Sequence, residues 1–529
     1  MKRIQGAAYG WTPFIGVILS AAVFASAVGA ASGVTPPFRS IFNGEDLTGW
    51  AGDERFWSVE DGAIVGETEG DLDSNTFLIW EQGEVDDFEL HFRYRITSDW
   101  ANSGVQVRSV RLEDYVVAGY QPDIATDDWI TGIHFEERGR GILARRGQRT
   151  VIDENGGKTT TRFASEEDLY RQIRPDEWND YHVIARGNRI TTRINGVRMH
   201  EIEDHSPEAR RSGIIAFQLH TGPAMRIEFR DIELRRVSTK EQRKVVFWAG
   251  QRSHGFGNHE HEAGNKLLAR ILNEHFGDRI IATVYGNGRP TDPTAFDNAD
   301  ALVIFSNGGG GHPVRPHLDE VDRLAERGVG IGAIHFAVEP HPDDADYFER
   351  WLGGYFRTHW SVNPHWTAHI EDLPDHPVTS GVSPFSIYDE WYYHMAFRED
   401  MEGITPILTA MPPEESLDRP DGAHSNNPHV RQAVLEREEP QHIMWLSEHP
   451  GANRGFGITG AHYHWNWGHD DFRTVVLNAI VWIAGVEVPA DGVPSHTPTV
   501  EELLENQAYE MPDGFDPQTI QDQLDVWRE

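Results

Sequence analysis

The sequence predicts two domains of different class, an all-β two-sheet sandwich followed by an α/β domain with a doubly wound parallel sheet. Three observations carry that prediction. The chain has 529 residues, long enough for two or three domains. Through residues 36–238 apolar and polar side chains alternate along short runs separated by turns, and helical periodicity is nearly absent. Through residues 243–490 buried strand-like runs alternate with amphipathic helical ones.

The first 31 residues have the form of an export signal. Lys2 and Arg3 precede a mostly apolar run, strongest from Phe14 to Ala31. Small residues at Gly29 and Ala31 suit cleavage before Ser32, with Ala27 as the alternative. An uncleaved membrane anchor is the competing reading, and the small residues in the run disfavour it. A periplasmic or secreted location is expected, with no membrane association after cleavage. No cysteine is present, which excludes disulfides and lipid attachment through cysteine and leaves export open. Against 84 acidic residues stand 47 basic ones, a formal charge of −37. Such a chain lacks the basic face that nucleic acid requires.

In the first domain, Phe88–Ile96, Arg189–Ile194 and Met225–Leu234 alternate as strands. Asn155-Gly156-Gly157 and Asn195-Gly196 are hairpin turns. The runs FNGEDLTGW (Phe42–Trp50), WSVEDGAIVGE (Trp57–Glu67), NSGVQVRS (Asn102–Ser109), GYQPDI (Gly119–Ile124), WNDYHVIARGNRITTRINGV (Trp178–Val197) and GIIAFQLH (Gly213–His220) follow in order. Together they resemble the 3-keto-disaccharide hydrolase domain family. The resemblance implies a concanavalin-like jelly roll and cleavage of a 3-keto glycoside. A ketone at C3 acidifies the C2 proton, a base removes it, the enolate expels the C1 substituent and water adds back. That chemistry needs a base, an enolate stabiliser and donors for hydroxyls. The residues of suitable type are Gln106 with Arg108, Gln121 with Asp123, Glu137 with Arg138, and Gln218 with His220. Of these, His220, Asp123, Gln121 and Glu137 are the catalytic candidates, and Gln106, Arg108, Arg138 and Gln218 the substrate-binding ones. Taken alone, Arg108 and Arg138 read more readily as surface ion-pair partners than as site residues. A tyrosine is expected from the resemblance where this chain has Phe135, which weakens any tyrosine-dependent role there.

In the second domain Lys244–Ala249, Ala301–Phe305 and Gly330–Phe336 read as strands, and Glu260–Phe276 and His317–Arg327 as helices. Open α/β sheets bind ligands beyond the carboxyl ends of their strands, and that rule gathers the histidines. His254, His259 and His261 follow the first strand, His312 follows another, and His335 ends a third with Glu339 beyond it. His462 and His464 lie near the end of a late strand beginning around Gly455. The run YDEWYYH adds Asp389, Glu390 and His394. Singly, each histidine reads as a hydrogen-bonded structural residue; the whole set at strand ends does not.

The motifs SHGFGNHEHEAG (Ser253–Gly264), GGGGHP (Gly308–Pro313), GAIHFAVE (Gly332–Glu339), GGYFRTHWSVNPHW (Gly353–Trp366), DEWYYH (Asp389–His394) and GAHYHWNWG (Gly460–Gly468) resemble the ThuA-like, or trehalose-utilisation, family. The resemblance implies a class I glutamine amidotransferase-like, flavodoxin-like fold. An amidotransferase places a nucleophilic cysteine at the strand-to-helix turn; here His335 stands near that turn and the chain has no cysteine. The glycine loop lacks the Lys-Ser/Thr of a phosphate loop, and no nucleotide cofactor is expected.

Two chemistries fit the second site. His259, His261, His335, His462 and His464 with Glu339 could hold a divalent metal ion, zinc or similar. Alternatively His335 and its neighbours act as acid and base without metal. Glu390 and the flanking Trp360, Trp366, Trp465 and Trp467 are expected to bind substrate. The partner is a carbohydrate. The competing function is a non-catalytic glycan-binding sandwich joined to a metal-dependent sugar enzyme. Val237–Arg243 reads as a charged linker and Glu414–Glu439 as an inserted loop. In residues 491–529, Val500–Gln507 reads as a short helix and the remainder as an extended acidic tail.

Overall fold

The computed structural model describes residues 36–238, 242–448 and 453–528. The expected export signal lies outside the described residues. Within them no helix is long and apolar enough to cross a membrane.

Residues 36–238 form a two-sheet sandwich. The order in the larger sheet is Lys158–Arg162, Gln148–Ile152, Val197–Asp204, Arg189–Ile194, Asn179–Arg186, Phe88–Ile96, Met225–Arg236, Ala63–Thr68 and Trp57–Glu60, with Arg39–Ser40 also on Met225–Arg236. The smaller runs Gly141–Ala144, His134–Glu137, Val117–Ala125, Asn102–Arg111, Ile214–Leu219, Thr76–Trp80 and Trp50–Ala51. Alternation decides which side chains fill the space between them. Phe88, Leu90, Phe92 and Tyr94 of one sheet meet Val105, Val107, Tyr120, Ile124, Phe217 and Leu219 of the other in one core. Phe217 stacks on Phe229 at 4.0 Å between ring centres and meets Phe92 edge-on at 5.2 Å. Both predicted hairpins form, with Ile152 opposite Lys158 and Ile194 opposite Val197.

The second domain departs from the expected all-parallel sheet. Ile280–Tyr285, Arg243–Ala249, Ala301–Phe305, Gly330–Ile334 and Arg454–Ile458 are parallel neighbours in that order. Gln441–Glu448 and Ile404–Ala410 then extend the sheet antiparallel. Helices cover both faces. Val245 and Phe247 point into a core shared with helices His261–His275 and Asp470–Ile483; Val246 and Trp248 point into another shared with helices Leu318–Glu326 and Ala345–Leu352.

The end of the chain is also more ordered than its composition suggests. Helix Val500–Leu504 is followed by helix Gln518–Arg528, whose Ile520 and Leu524 are buried in the second domain. The inserted segment likewise carries helix Pro428–Arg431 and buries Val430 and Val434. Around the expected linker a buried ion network joins the domains. Lys244 Nζ lies 2.6 Å from Asp86, and Arg236 lies 2.6 Å from Asp292 and 3.3 Å from Asp86. The described residues of both domains form one compact unit.

Candidate functional site

Two polar clusters stand out, one in each domain. In the sandwich, Tyr120 and Ile124 point into the core, so Gln121 and Asp123 between them point out of it; Gln106 and Gln218 alternate outward in the same way beside Val105, Val107, Phe217 and Leu219. The four meet. Gln106 Nε2 donates to Gln121 Oε1 at 2.5 Å, and Gln121 Nε2 donates to Asp123 Oδ1 at 2.7 Å and Gln218 Oε1 at 3.2 Å. Gln218 Nε2 and Asn75 Nδ2 both reach Glu137, at 3.4 and 3.2 Å. Gly104 lies directly opposite Asp123. A Cβ there would sit 2.7 Å from Gln121 Cγ and 3.0 Å from Asp123 Oδ1, so only glycine leaves room for the pair.

Asp123 is 5% exposed. Burial, opposed by the Gln121 hydrogen bond and reinforced by the charge of Glu137, pushes its carboxyl well above the usual carboxylate range. Such a group keeps its proton where an ordinary aspartate has lost it.

Three expected members of this site stand elsewhere or apart. Arg108 sits in a β-bulge with φ +48°. The bulge breaks the alternation that would have placed it beside Gln106. Its guanidinium is buried on Asp87 at 2.7 Å and on the carbonyls of Asp86 and Gly187, a structural ion pair. Arg138 is exposed on the turn after His134–Glu137, and its neighbour Arg140 makes the ion pairs, with Glu136 and Asp204. His220 stands at the rim, with Nδ1 2.5 Å from the Thr221 carbonyl and its ring edge-on to Trp100. The Thr221 amide in turn donates to Asn75, so His220 connects to Glu137 through two intermediaries.

In the second domain the strand ends bring together His259, His335, His462 and Glu390, with one ligand atom from each within 4.8 Å of all the others. Nε2 of His259 lies 3.0 Å from His462 Nδ1 and 3.1 Å from His335 Nε2. Glu390 Oε2 lies 2.9 Å from His462 Nδ1 and 3.3 Å from His335 Nε2. The backbone is unusual at these points: φ is +50° at His259, +54° at His335 and +86° at Ala461. L-residues held in this region mark sites that the surrounding fold over-determines. His335 directly follows strand Gly330–Ile334.

Neighbouring groups set the orientation. His335 Nδ1–H donates to the Thr459 carbonyl at 2.7 Å, which leaves its Nε2 as a lone pair aimed into the cluster. Asp389 is fully buried; its carboxylate accepts the amides of Ala461 at 2.7 Å and His462 at 3.0 Å and the Asn466 side chain at 2.9 Å. That carboxylate fixes the backbone that carries His462. Tyr392 Oη is 3.2 Å from His335 Nε2 and 3.5 Å from Glu390. Burial, with Glu390 nearby, raises the Tyr392 phenol well above its ordinary value. Burial pulls His259 down to about 2. Burial alone would raise Glu390, but the surrounding imidazoles outweigh it and hold the carboxyl well below the usual range.

This arrangement fits a cation. A neutral imidazole carries one N–H, and His335 directs its own at Thr459, so at most two N–H protons remain for the four close contacts among His259, His335, His462 and Glu390. A divalent ion would satisfy all four at once.

The other expected ligands are not part of the cluster. His261 starts the helix, donates from Nδ1 to the Gln251 carbonyl at 3.1 Å and packs on Phe305; burial takes it to about 3. His464 lies two residues from His462, but the chain turns into a 3-10 helix at His464–Gly468. The turn buries His464 against Trp465, and burial lowers it to about 3. Glu339 pairs with His424 at 2.9 Å instead, and Glu390 takes the place expected for it. His312 and His394 are tied to the carbonyls of Ala337 and Trp360.

The tryptophans pack rather than present faces. Trp366 and Trp467 are core residues, Trp465 packs on Phe256 and Phe515, and Trp360 stacks on His394. Asn363, His365, Tyr388, Tyr392 and Tyr463 surround Glu390 and His462 in their stead. Tyr392 and Tyr388 lie in the YDEWYYH run that also holds Glu390, and Tyr463 adjoins His462, so proximity in the chain was their signal.

Residues 37–235 match the 3-keto-alpha-glucoside-1,2-lyase-like domain, and residues 244–483 match the trehalose utilisation domain. No curated protein matches the chain. Among solved structures it is similar to a candidate glycosyl hydrolase from Parabacteroides distasonis ATCC 8503, at 17% identity over 38% of this chain and 100% of that one, TM-score 0.27. It is similar to the carbohydrate-binding module CBM66 from Bacillus subtilis, at 14% identity over 37% and 98%, TM-score 0.25. A candidate ThuA-like protein from Parabacteroides merdae ATCC 43184 shares 17% identity over 49% and 95%, TM-score 0.33. The chain thus joins a domain of the 3-keto-alpha-glucoside-1,2-lyase-like family to a domain of the trehalose-utilisation family.

Proposed function

We propose that this protein is an exported carbohydrate-active enzyme. In this reading the sandwich cleaves 3-keto glycosides by elimination and hydration, and the second domain uses a divalent metal ion to act on a related keto-sugar. The observation that carries the reading is Asp123: a buried carboxyl with a raised pKa, within a cluster of three glutamines and beside a second carboxylate.

The steps follow from those groups. Glu137, less buried than Asp123, removes the C2 proton that the C3 ketone has acidified. The electron pair forms the enolate, whose oxygen takes hydrogen bonds from the glutamine amides. Collapse of the enolate breaks the C1–O bond, and Asp123 delivers its proton to the departing oxygen. Water adds to C1 of the resulting enone and a proton returns to C2, so the net change is hydrolysis. His220 at the rim binds the sugar. The test is turnover of a 3-keto glycoside by the full chain and by Asp123→Asn. Absence of turnover by the parent protein with 3-keto substrates of several linkages would refute the reading.

In the second domain His259, His335, His462 and Glu390 would hold the metal. A divalent ion there would polarise a ketone and stabilise an enolate. Asp389 and the Thr459 carbonyl hold two of the imidazoles in register, and Tyr392 offers a neutral hydroxyl to the same space. Elemental analysis after metal supplementation tests this part. Export is tested separately by mass spectrometry of the protein from its host, with a mature start expected at Ser32 or Val28.

A further inference from the structure

Beside the histidine cluster the strand Phe385–Glu390 alternates buried and exposed, and Tyr388 falls on its open side with half its surface exposed (50%). Tyr388 lies two residues before Glu390. The antiparallel partner strand places His365 opposite Glu390 and Thr367 opposite Tyr388. Tyr463 follows His462 directly. The three rings lie together: Tyr388 stacks on Tyr463 with centres 5.9 Å apart and planes within 22°, and His365 lies 6.4 Å from Tyr388 at 25°. A contact of 3.2 Å between Tyr463 Oη and His365 Nδ1 closes the set. His365 Nε2 is 4.0 Å from Glu390 Oε1, and that same oxygen accepts from Asn363 Nδ2 at 3.0 Å. The result is an aromatic shelf that begins at the buried cluster and ends in solvent at Tyr388, with His365 tilted 46° to Tyr463.

Nothing in the packing of the core accounts for this shelf. The tryptophans of the domain are stacked on other side chains or enclosed, whereas half the surface of Tyr388 is open. A pyranose with equatorial hydroxyls has an apolar C–H face and a polar edge. Laid on Tyr388, such a ring gains aromatic contact on its face while its edge points along the shelf toward Asn363, His365 and Glu390. Ligand sites are commonly apolar walls with a few convergent polar groups.

We propose that Tyr388 and Tyr463 form a sugar-stacking subsite that seats a gluco-configured pyranose face-on, with its oxidised edge toward Glu390. This rests on the reading of the second domain as a keto-sugar site. The test is calorimetric binding of 3-keto-glucose, which has no glycosidic bond to cleave, to the full chain loaded with cobalt. Parent protein, Tyr388→Ala and Tyr388→Phe are compared, with bound cobalt and thermal midpoint measured on each. Tyr388→Ala is expected to weaken binding about tenfold, the size of one good aromatic contact. Tyr388→Phe should bind as the parent does, because the ring and not the hydroxyl makes the contact. Cobalt content, thermal midpoint and cleavage by the sandwich should be equal in all three. Binding by Tyr388→Ala equal to the parent's, with cobalt still bound, would overturn the subsite and leave the metal reading standing. Loss of cobalt in Tyr388→Ala would also overturn it, by making Tyr388 a support of the cluster. A parent protein that takes up no cobalt would refute the metal reading itself.

Discussion

The sandwich cluster and the histidine cluster are both buried and polar, yet they are built in opposite ways. In the sandwich Gln106, Gln121, Asp123 and Gln218 sit within strands, and alternation turns them out of the core. Its amides and carboxyls bond to one another, Gln106 to Gln121 to Asp123 and Gln218, so the network is nearly self-sufficient. In the α/β domain the three histidines sit beyond strand ends, two of them at residues with positive φ, and Glu390 ends strand Phe385–Glu390. Their nitrogens converge without enough protons to pair. A satisfied network around one carboxyl whose pKa burial raises is suited to moving a proton. A set of converging lone pairs is suited to holding a cation. The contrast shows that burial by itself does not define a site; what matters is which hydrogen-bonding groups are left over.

The largest effect expected from this contrast is all-or-none. The double variant His259→Ala, His335→Ala should lose bound metal entirely while the sandwich continues to cleave 3-keto glycosides. Metal content and cleavage rate measured on the same preparation check this, and parallel loss of both would mean that the two clusters work as one. Next in size, Asp123→Asn should lower kcat by about 10²–10⁴-fold, the usual contribution of a positioned acid or base, with metal content unchanged. Gly104→Ala should destabilise the protein by about 1–3 kcal/mol, because its methyl group overpacks Gln121 and Asp123, and it should also slow cleavage. A variant as stable and as active as the parent would show that the two side chains have room to spare.

The smallest effect concerns pH. The folded pKa of Asp123 is raised, so the folded state keeps a proton that the unfolded chain has already released. Stability from this group is complete below the ordinary aspartate value of about 3.9 and declines as pH rises through the folded pKa. Asparagine has nothing to release. The thermal midpoint of Asp123→Asn relative to the parent should therefore rise between pH 4 and neutrality. Cleavage that needs the protonated acid should fall on the alkaline side, and that limb should vanish in the variant. A midpoint difference independent of pH would indicate that Asp123 ionises normally.

Much of the architecture is legible in the residues. Period-two alternation and Asn-Gly turns specify the strands of the sandwich, and the change to a mixed strand and helix pattern after residue 243 marks the second domain. Gln121, Asp123, Gln218 and Glu137 meet as their spacing suggests because strand geometry is regular and local. His259, His335 and His462 meet because parallel strands deliver their carboxyl ends to one edge. Spacing fails wherever the backbone leaves those regular paths. Arg108 reads as a partner of Gln106 until a bulge turns it toward Asp87. His464 reads as a partner of His462 until a 3-10 turn buries it.

Sequence alone determined the residue types available, the two classes of fold and the strand ends at which histidines gather, because these follow from local periodicity and composition. Tertiary structure decided which of the chemically equivalent candidates share a site. It chose Glu390 over Glu339, tyrosines over tryptophans at the open rim, and three of the five expected imidazoles. It also folded a tail of acidic composition into a helix by burying Ile520 and Leu524. The physical reason is common to all of these. A side chain's partners are set by long-range packing and by single left-handed or bulged residues, and neither leaves a periodic mark on the chain.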